Sequence, residues 1–117
     1  EYTYFDYYQG NSDDEPLAIG GMLPLKKVYH YNPIPSGLNE KEAKHILGGQ
    51  GQLWTEYMKT PEHVEYMAFP RAVALSEVLW LNQPEDERNY LKFLKRLQQH
   101  NKRLDLMNVN YRQLHKQ

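Results

Sequence analysis

An α/β fold with a parallel but incomplete sheet follows from three features of the sequence. Strand-prone segments alternate with helix-prone ones, the helix-prone stretch after the second strand is apolar on most sides, and only two strand candidates occur in 117 residues. The order strand, long loop with a short helix, strand, helix, helix is the βα alternation of a parallel sheet. Two parallel strands alone are an incomplete sheet, because parallel sheets are covered on both faces and built from several strands.

Residues 1–8 are β-prone and aromatic and read as the first strand, closed by Gly10 and the turn-forming, acidic run Asn11-Ser12-Asp13-Asp14-Glu15-Pro16. From Gln9 to Asn39 no long periodic segment occurs. Gly20-Gly21, Pro24, Pro33, Pro35 and Gly37 punctuate it, leaving room for one helical turn within Met22 to Val28. An irregular loop of this length in a compact domain is unusual unless it builds a functional site. A short helix is predicted over 40–46, with Asn39 as cap and Glu42 completing a capping box, and Gly48-Gly49 closes it. The second strand is predicted over 49–55. Thr60 then caps a helix over 61–69 with Pro61 at its first position. Pro70 cannot continue that helix, so a break is expected near Phe69, with a fresh helix over 70–81. Ala68, Ala72, Ala74, Leu75, Val78 and Leu79 predict that this helix is buried. A long amphipathic helix over 85–108 carries Tyr90, Phe93, Leu94, Leu97, Leu104 and Met107 at 3.6-residue spacing.

Composition narrows the function classes. The chain is 40% hydrophobic and 25% charged, in the range of soluble globular domains. Ten tyrosines and two tryptophans are many for this length, and such rings serve where one side packs and the other meets a polar ligand. A net charge of −1 offers no footprint for nucleic acid or an anionic membrane surface, so neither is expected as a partner. Without cysteine there are no disulfides or thiolate zinc sites, and the compartment stays open. The chain opens on Glu1-Tyr2-Thr3 inside a strand-like run, with no initiator Met and no signal-peptide pattern. It is therefore expected to be a piece of a longer protein.

The residues that carry chemistry are two doublets, Tyr4-Phe5-Asp6 and Trp54-Thr55-Glu56, each with an aromatic and a carboxylate at i and i+2. On strands, period-two geometry puts both members of a doublet on one face, where a ring can lie under a sugar while the acid grips its hydroxyls. Two competing readings stand beside this one. Tyr4 and Trp54 are also ordinary core rings, and Asp6 and Glu56 on adjacent strands could be a retaining pair about 5 Å apart. Asp13, Asp14 and Glu15 lack the glycine and terminal acid of a calcium loop and are read as a solvated acidic loop. His30, His45, His63, His100 and His115 show no metal spacing, so no metal and no cofactor are expected. Arg71 and Glu77 fall on the apolar helix, and each is expected to have an ion-pair partner.

Four blocks in order and spacing carry a family resemblance: Tyr4-Phe5-Asp6-Tyr7-Tyr8; Val28-Tyr29-His30-Tyr31-Asn32-Pro33-Ile34-Pro35; Leu47-Gly48-Gly49-Gln50-Gly51-Gln52-Leu53-Trp54-Thr55-Glu56-Tyr57; and Met67-Ala68-Phe69-Pro70-Arg71 through Ala74-Leu75-Ser76-Glu77-Val78-Leu79-Trp80. Together they resemble the C-terminal end of the catalytic barrel in glycoside hydrolase family 20, the β-N-acetylhexosaminidases, over residues 2 to 111. The resemblance implies that the chain is the C-terminal fragment, about the last two βα units, of a (β/α)8 TIM barrel. Strands 1–8 and 49–55 would be the seventh and eighth, with the long loop over the face where barrel active sites sit. It implies substrate-assisted retaining hydrolysis of terminal N-acetylglucosamine or N-acetylgalactosamine, in which the acetamido oxygen attacks the anomeric carbon and an oxazolinium forms. Tyr4 resembles the tyrosine whose hydroxyl holds that oxygen in line. Asp6 and Glu56 resemble the carboxylates that bind sugar hydroxyls, and Trp54 the indole wall that packs the acetamido group and the ring.

One departure matters. The family's catalytic Asp-Glu pair lies on an earlier strand and is absent from this chain: Asp14-Glu15 sits in a loop, and Asp86-Glu87 at a helix start, where acids complement the helix dipole. The isolated chain is therefore expected to be inactive, although its parent is an enzyme acting on N-acetylhexosamine-terminated glycans. The family suggests a secreted, periplasmic or lysosomal setting. The alternatives are a non-catalytic carbohydrate-binding module and a catalytically dead barrel. Two strands without their neighbours leave open edges, so the fragment is expected to self-associate.

Overall fold

The computed structural model describes residues 2–116; Glu1, the first residue of the expected strand 1–8, and Gln117 lie outside the described residues. Among the described residues five α-helices occur in chain order: α1 (Leu25–Tyr29), α2 (Glu40–Ala43), α3 (Pro61–Ala68), α4 (Arg71–Leu81) and α5 (Tyr90–Leu106). Short 3₁₀ turns cover Ser12–Asp14, Glu85–Glu87 and Leu114–Lys116.

Local chemistry sets the helix ends. Asn39 accepts from the backbone N–H groups of Lys41 and Glu42 at 2.9 and 3.0 Å, and the Glu42 carboxylate accepts from the Asn39 N–H at 3.0 Å, so α2 starts with a reciprocal capping box. The regular helix ends at Ala43, and single turns carry the chain on to Ile46, so α2 is shorter than the expected 40–46. Thr60 caps α3 with Pro61 at its first position. The chain turns at Phe69-Pro70 into α4, which stops at Asn82 in the left-handed region (φ 47°).

The last helix and the two strands also need correction. The helix predicted over 85–108 starts only at Tyr90. Arg88 is extended, and Asn89 makes a second cap by accepting from the Lys92 N–H at 3.0 Å, which isolates Glu85–Glu87 as a 3₁₀ turn. The predicted strands 1–8 and 49–55 are not ladders: among the described residues the first makes two isolated parallel bridges, Tyr4 to Gln52 of the second and Tyr8 to Met22 of the long loop. The first bridge is made by Phe5 N–H to the Gln52 carbonyl and Gln52 N–H to the Thr3 carbonyl, both at 2.7 Å. A turn then follows, with Tyr7 N–H reaching the Tyr4 carbonyl at 3.3 Å. A strand propagates by pairing with neighbours, and with so few neighbours the extended geometry is not held beyond the bridge.

The core lies where α1, α4 and α5 meet. Leu23, Leu25, Val28 and Tyr29 pack on Ala74, Leu75 and Val78, with Phe93 and Leu97 closing the far side and Phe5 the near one. The Tyr29 and Phe93 rings stack with centroids 4.5 Å apart. Burial of α4 stops one turn before its end, because Trp80 is 91% exposed and Leu81 follows it onto the surface. Met107, expected on the buried stripe of the last helix, is the exposed residue that ends α5.

Candidate functional site

Tyr4, Asp6, Trp54 and Glu56 line one open cleft of about 390 Å³, together with Tyr7 and Ile19. The Tyr4–Gln52 bridge explains the convergence. It ties the two segments side by side at one point, and the turn that follows at Phe5-Asp6 keeps Asp6 at the rim that Trp54 also reaches.

Arg71 supports the first segment from below. It is fully buried and lies with its guanidinium 5.3 Å from the Phe5 ring centroid. Its nitrogens donate to the carbonyls of Phe5 (2.5 Å), Tyr7 (2.9 Å), Leu23 (3.1 Å) and Met67 (2.6 Å). The ion-pair partner expected for Arg71 is thus replaced by backbone carbonyls. Irregular backbone leaves the Phe5, Tyr7 and Leu23 carbonyls without ladder partners, Met67 lies in the last turn of α3, and a five-donor fork satisfies several at once. Burial lowers the Arg71 pKa to about 9, which leaves it protonated at neutral pH. Glu77 does have its cation, a bidentate pair with Arg96.

Asp6 is only 5% exposed, and its Oδ1 is buried without a hydrogen-bond partner among the described residues. Burial raises its pKa above the ordinary 3.8, and the Glu56 charge pushes the same way. A hydrogen bond with its own backbone and the positive field of Arg71 act in the opposite direction. Tyr4 is 38% exposed and Trp54 58%, so both rings are open to a ligand. An acceptor at depth beneath two accessible aromatic faces suits a polyhydroxylated ring with one apolar side.

Tyr7 and Ile19 belong to the cleft but were not singled out from the sequence. Strict alternation would send Tyr8, not Tyr7, to the face of Tyr4 and Asp6. The turn at Phe5-Asp6 breaks that period and brings in Tyr7 instead. Ile19 comes from the long loop, where no period exists to read.

Behind the cleft, Glu15 overturns the reading of a solvated acidic loop. Asp13 and Asp14 are exposed, but the Glu15 side chain is buried. It accepts from Arg112 Nε at 2.5 Å and from the Tyr66 hydroxyl at 3.0 Å. Burial together with the Glu15 carboxylate pushes Tyr66 up to about 12. Asn110 N–H donates to Glu65 and Arg112 N–H to the Phe69 carbonyl, so the C-terminal segment straps α3 to the loop.

No group of three or more His, Asp and Glu side chains able to hold a metal occurs among the described residues, and no helix there is long and apolar enough to cross a membrane.

Residues 1–83 match the model of glycosyl hydrolase family 20, catalytic domain. A β-hexosaminidase of Porphyromonas gingivalis is 42% identical over 108 residues, which is 92% of this chain and 14% of that protein. The structure of a family 20 exo-β-N-acetylglucosaminidase from Vibrio harveyi in complex with N-acetylglucosamine aligns with a TM-score of 0.77 at 33% identity, covering 96% of this chain and 18% of that one. A family 20 β-N-acetylhexosaminidase from Streptomyces coelicolor A3(2) aligns at 0.77 and 25% identity, covering 96% and 22%. The chain therefore spans less than a quarter of the length of these relatives and shares its fold with a segment of each of the two solved structures.

Proposed function

Because this chain belongs to glycosyl hydrolase family 20, we propose that it is the C-terminal part, about the last two βα units, of the (β/α)8 barrel of a β-N-acetylhexosaminidase. In this reading Tyr4, Asp6, Trp54 and Glu56 form the subsite for the nonreducing terminal N-acetylglucosamine or N-acetylgalactosamine. The single observation that carries it is the convergence of two aromatic and two acidic side chains, from two segments 48 or more residues apart in sequence, on one open cleft.

The chemistry follows from the groups at that rim. The acetamido oxygen of the substrate attacks the anomeric carbon, so the protein must hold that oxygen in line and keep water from the oxazolinium. The Tyr4 hydroxyl donates to the oxygen and fixes its approach, an alignment whose value is entropic. Trp54 lays its indole along the apolar side of the sugar and shields the intermediate. Asp6 and Glu56 accept hydrogen bonds from the sugar hydroxyls, and Asp6, already desolvated with an unpartnered Oδ1, loses little further hydration on doing so. The acid that protonates the leaving group belongs to the earlier part of the barrel. The 117-residue chain alone is accordingly inactive and, with its sheet edges open, self-associates; a monodisperse monomer in light scattering with full helical content would contradict this.

The test is hydrolysis of an aryl N-acetyl-β-glucosaminide by the full-length protein. Tyr4→Phe is expected to lower kcat by about 10²-fold, as removal of a positioned transition-state donor does, and turnover unaffected by that change would count against the assignment. A protein that binds N-acetylglucosamine without turnover would instead be a carbohydrate-binding module or a dead barrel.

A further inference from the structure

We propose that Tyr7, seated on the Gly20-Gly21 turn, is a positioning residue that sets the orientation of the Tyr4 ring; this rests on the role given to Tyr4 above.

Tyr4 needs such help. Its backbone is fixed at the bridge to Gln52, but its side chain stands at the rim, 38% exposed, where rotation about its side-chain torsions is not confined by core packing. The ring against which it rests is that of Tyr7, with centroids 5.5 Å apart and planes within 22°. This is an offset stack, the arrangement aromatic pairs favour.

Tyr7 itself is held on two sides. Its carbonyl accepts from buried Arg71 at 2.9 Å, and its N–H reaches the Tyr4 carbonyl at 3.3 Å, which anchors its backbone to the same turn. Its ring packs close against Gly21, where a β-carbon would stand 2.6 Å from Cδ2 and 2.8 Å from Cε2 of Tyr7. Gly21 also has φ +64°, a conformation that glycine adopts without strain. The Tyr8–Met22 bridge, with Leu23 N–H on the Tyr8 carbonyl at 2.8 Å, locks the glycine turn beside the Tyr4–Tyr8 segment. The sequence of supports therefore runs from the bridge to Gly21, from Gly21 to the Tyr7 ring, and from that ring to Tyr4. An in-line attack tolerates little displacement of the group that guides it, so a ring that stops Tyr4 from swinging acts on rate more than on binding.

The experiment is a double-variant cycle in the full-length protein, read as kcat and KM on an aryl N-acetyl-β-glucosaminide with melting temperatures alongside. Tyr7→Ala is expected to lower kcat about tenfold or more, approaching 10²-fold, through misplacement of the Tyr4 hydroxyl. KM should change by less than about threefold, the split expected when an interaction acts in the transition state. Tyr7→Phe keeps the ring and should restore turnover to within about twofold. Gly21→Ala, which displaces the ring from behind, should follow Tyr7→Ala. In a Tyr4→Phe background, where there is no hydroxyl left to aim, Tyr7→Ala should cost less than about twofold more. Additive losses in the double variant, a loss in Tyr7→Phe equal to that in Tyr7→Ala, or a loss confined to KM would overturn the role of Tyr7 while leaving that of Tyr4 intact. Undiminished turnover in Tyr4→Phe, or no turnover by the unaltered protein, would bring down both.

Discussion

The two halves of the cleft are built differently. The Tyr4-Phe5-Asp6 segment is gripped from beneath: Phe5 and Asp6 are buried, and the carbonyls of Phe5 and Tyr7 are bound by a guanidinium deep in the core. The Trp54-Thr55-Glu56 segment is exposed throughout, and it is tied to the rest through the two residues before it, by pairing at Gln52 and packing of Leu53 against the core. The first half therefore draws its geometry from the fold, whereas the second presents groups whose value lies in contact with a ligand. Stability and recognition should separate along this line.

The largest expected effect is on the gripped side. Arg71→Leu leaves the carbonyls of Phe5, Tyr7 and Leu23 buried without a donor, and at 1–3 kcal/mol for each such group the loss should be about 4 kcal/mol or more, measurable by urea unfolding of the full-length protein. On the exposed side Trp54→Ala should shift unfolding free energy by no more than about 0.5 kcal/mol. Its cost should fall on affinity for the terminal sugar, raising Kd about tenfold with loss of the stacking face. If both substitutions unfold the protein to a similar extent, the contrast fails.

The smallest effect sharpens the comparison through pH. Burial raises Asp6 above 3.8, so its proton adds stability at pH below 3.8, and that contribution disappears as pH rises through the elevated native value. Sugar binding has the opposite sign, because only the carboxylate accepts from hydroxyls. KM should thus climb as pH falls through a midpoint above 3.8, and Asp6→Asn, neutral at every pH, should flatten that limb while weakening binding overall. An unchanged acid limb in Asp6→Asn would assign the titration elsewhere.

Legibility in the sequence follows the range of the interactions. Asn39 with Glu42 and Thr60 with Pro61 announce helix starts because cap and capped residue lie within one turn of each other. The second cap at Asn89 was hidden behind the acidic run Glu85-Asp86-Glu87, itself a credible helix start. The strands read as strands from their composition, but a ladder is a property of neighbours, and here each segment pairs at isolated points. The two aromatic-acid doublets were visible since each is local, and their meeting in one cleft is the long-range outcome of the bridge at Gln52. Tyr7 was missed because a turn broke the alternation. Glu15 was misread because its partner, Arg112, is 97 residues away, and nothing in an acidic run reveals which member of it turns inward.

That last contact redraws where the unit stops. The match to the family model covers residues 1–83, yet the carboxylate of Glu15, in the stretch leading from Tyr4 and Asp6, is neutralised by the side chain of Arg112. Anyone trimming the gene to the matched region would delete Arg112 and strand an anion inside the protein, with the Tyr66 hydroxyl left to donate to it. The tail is in effect the buckle of a belt, and an expression boundary belongs beyond it.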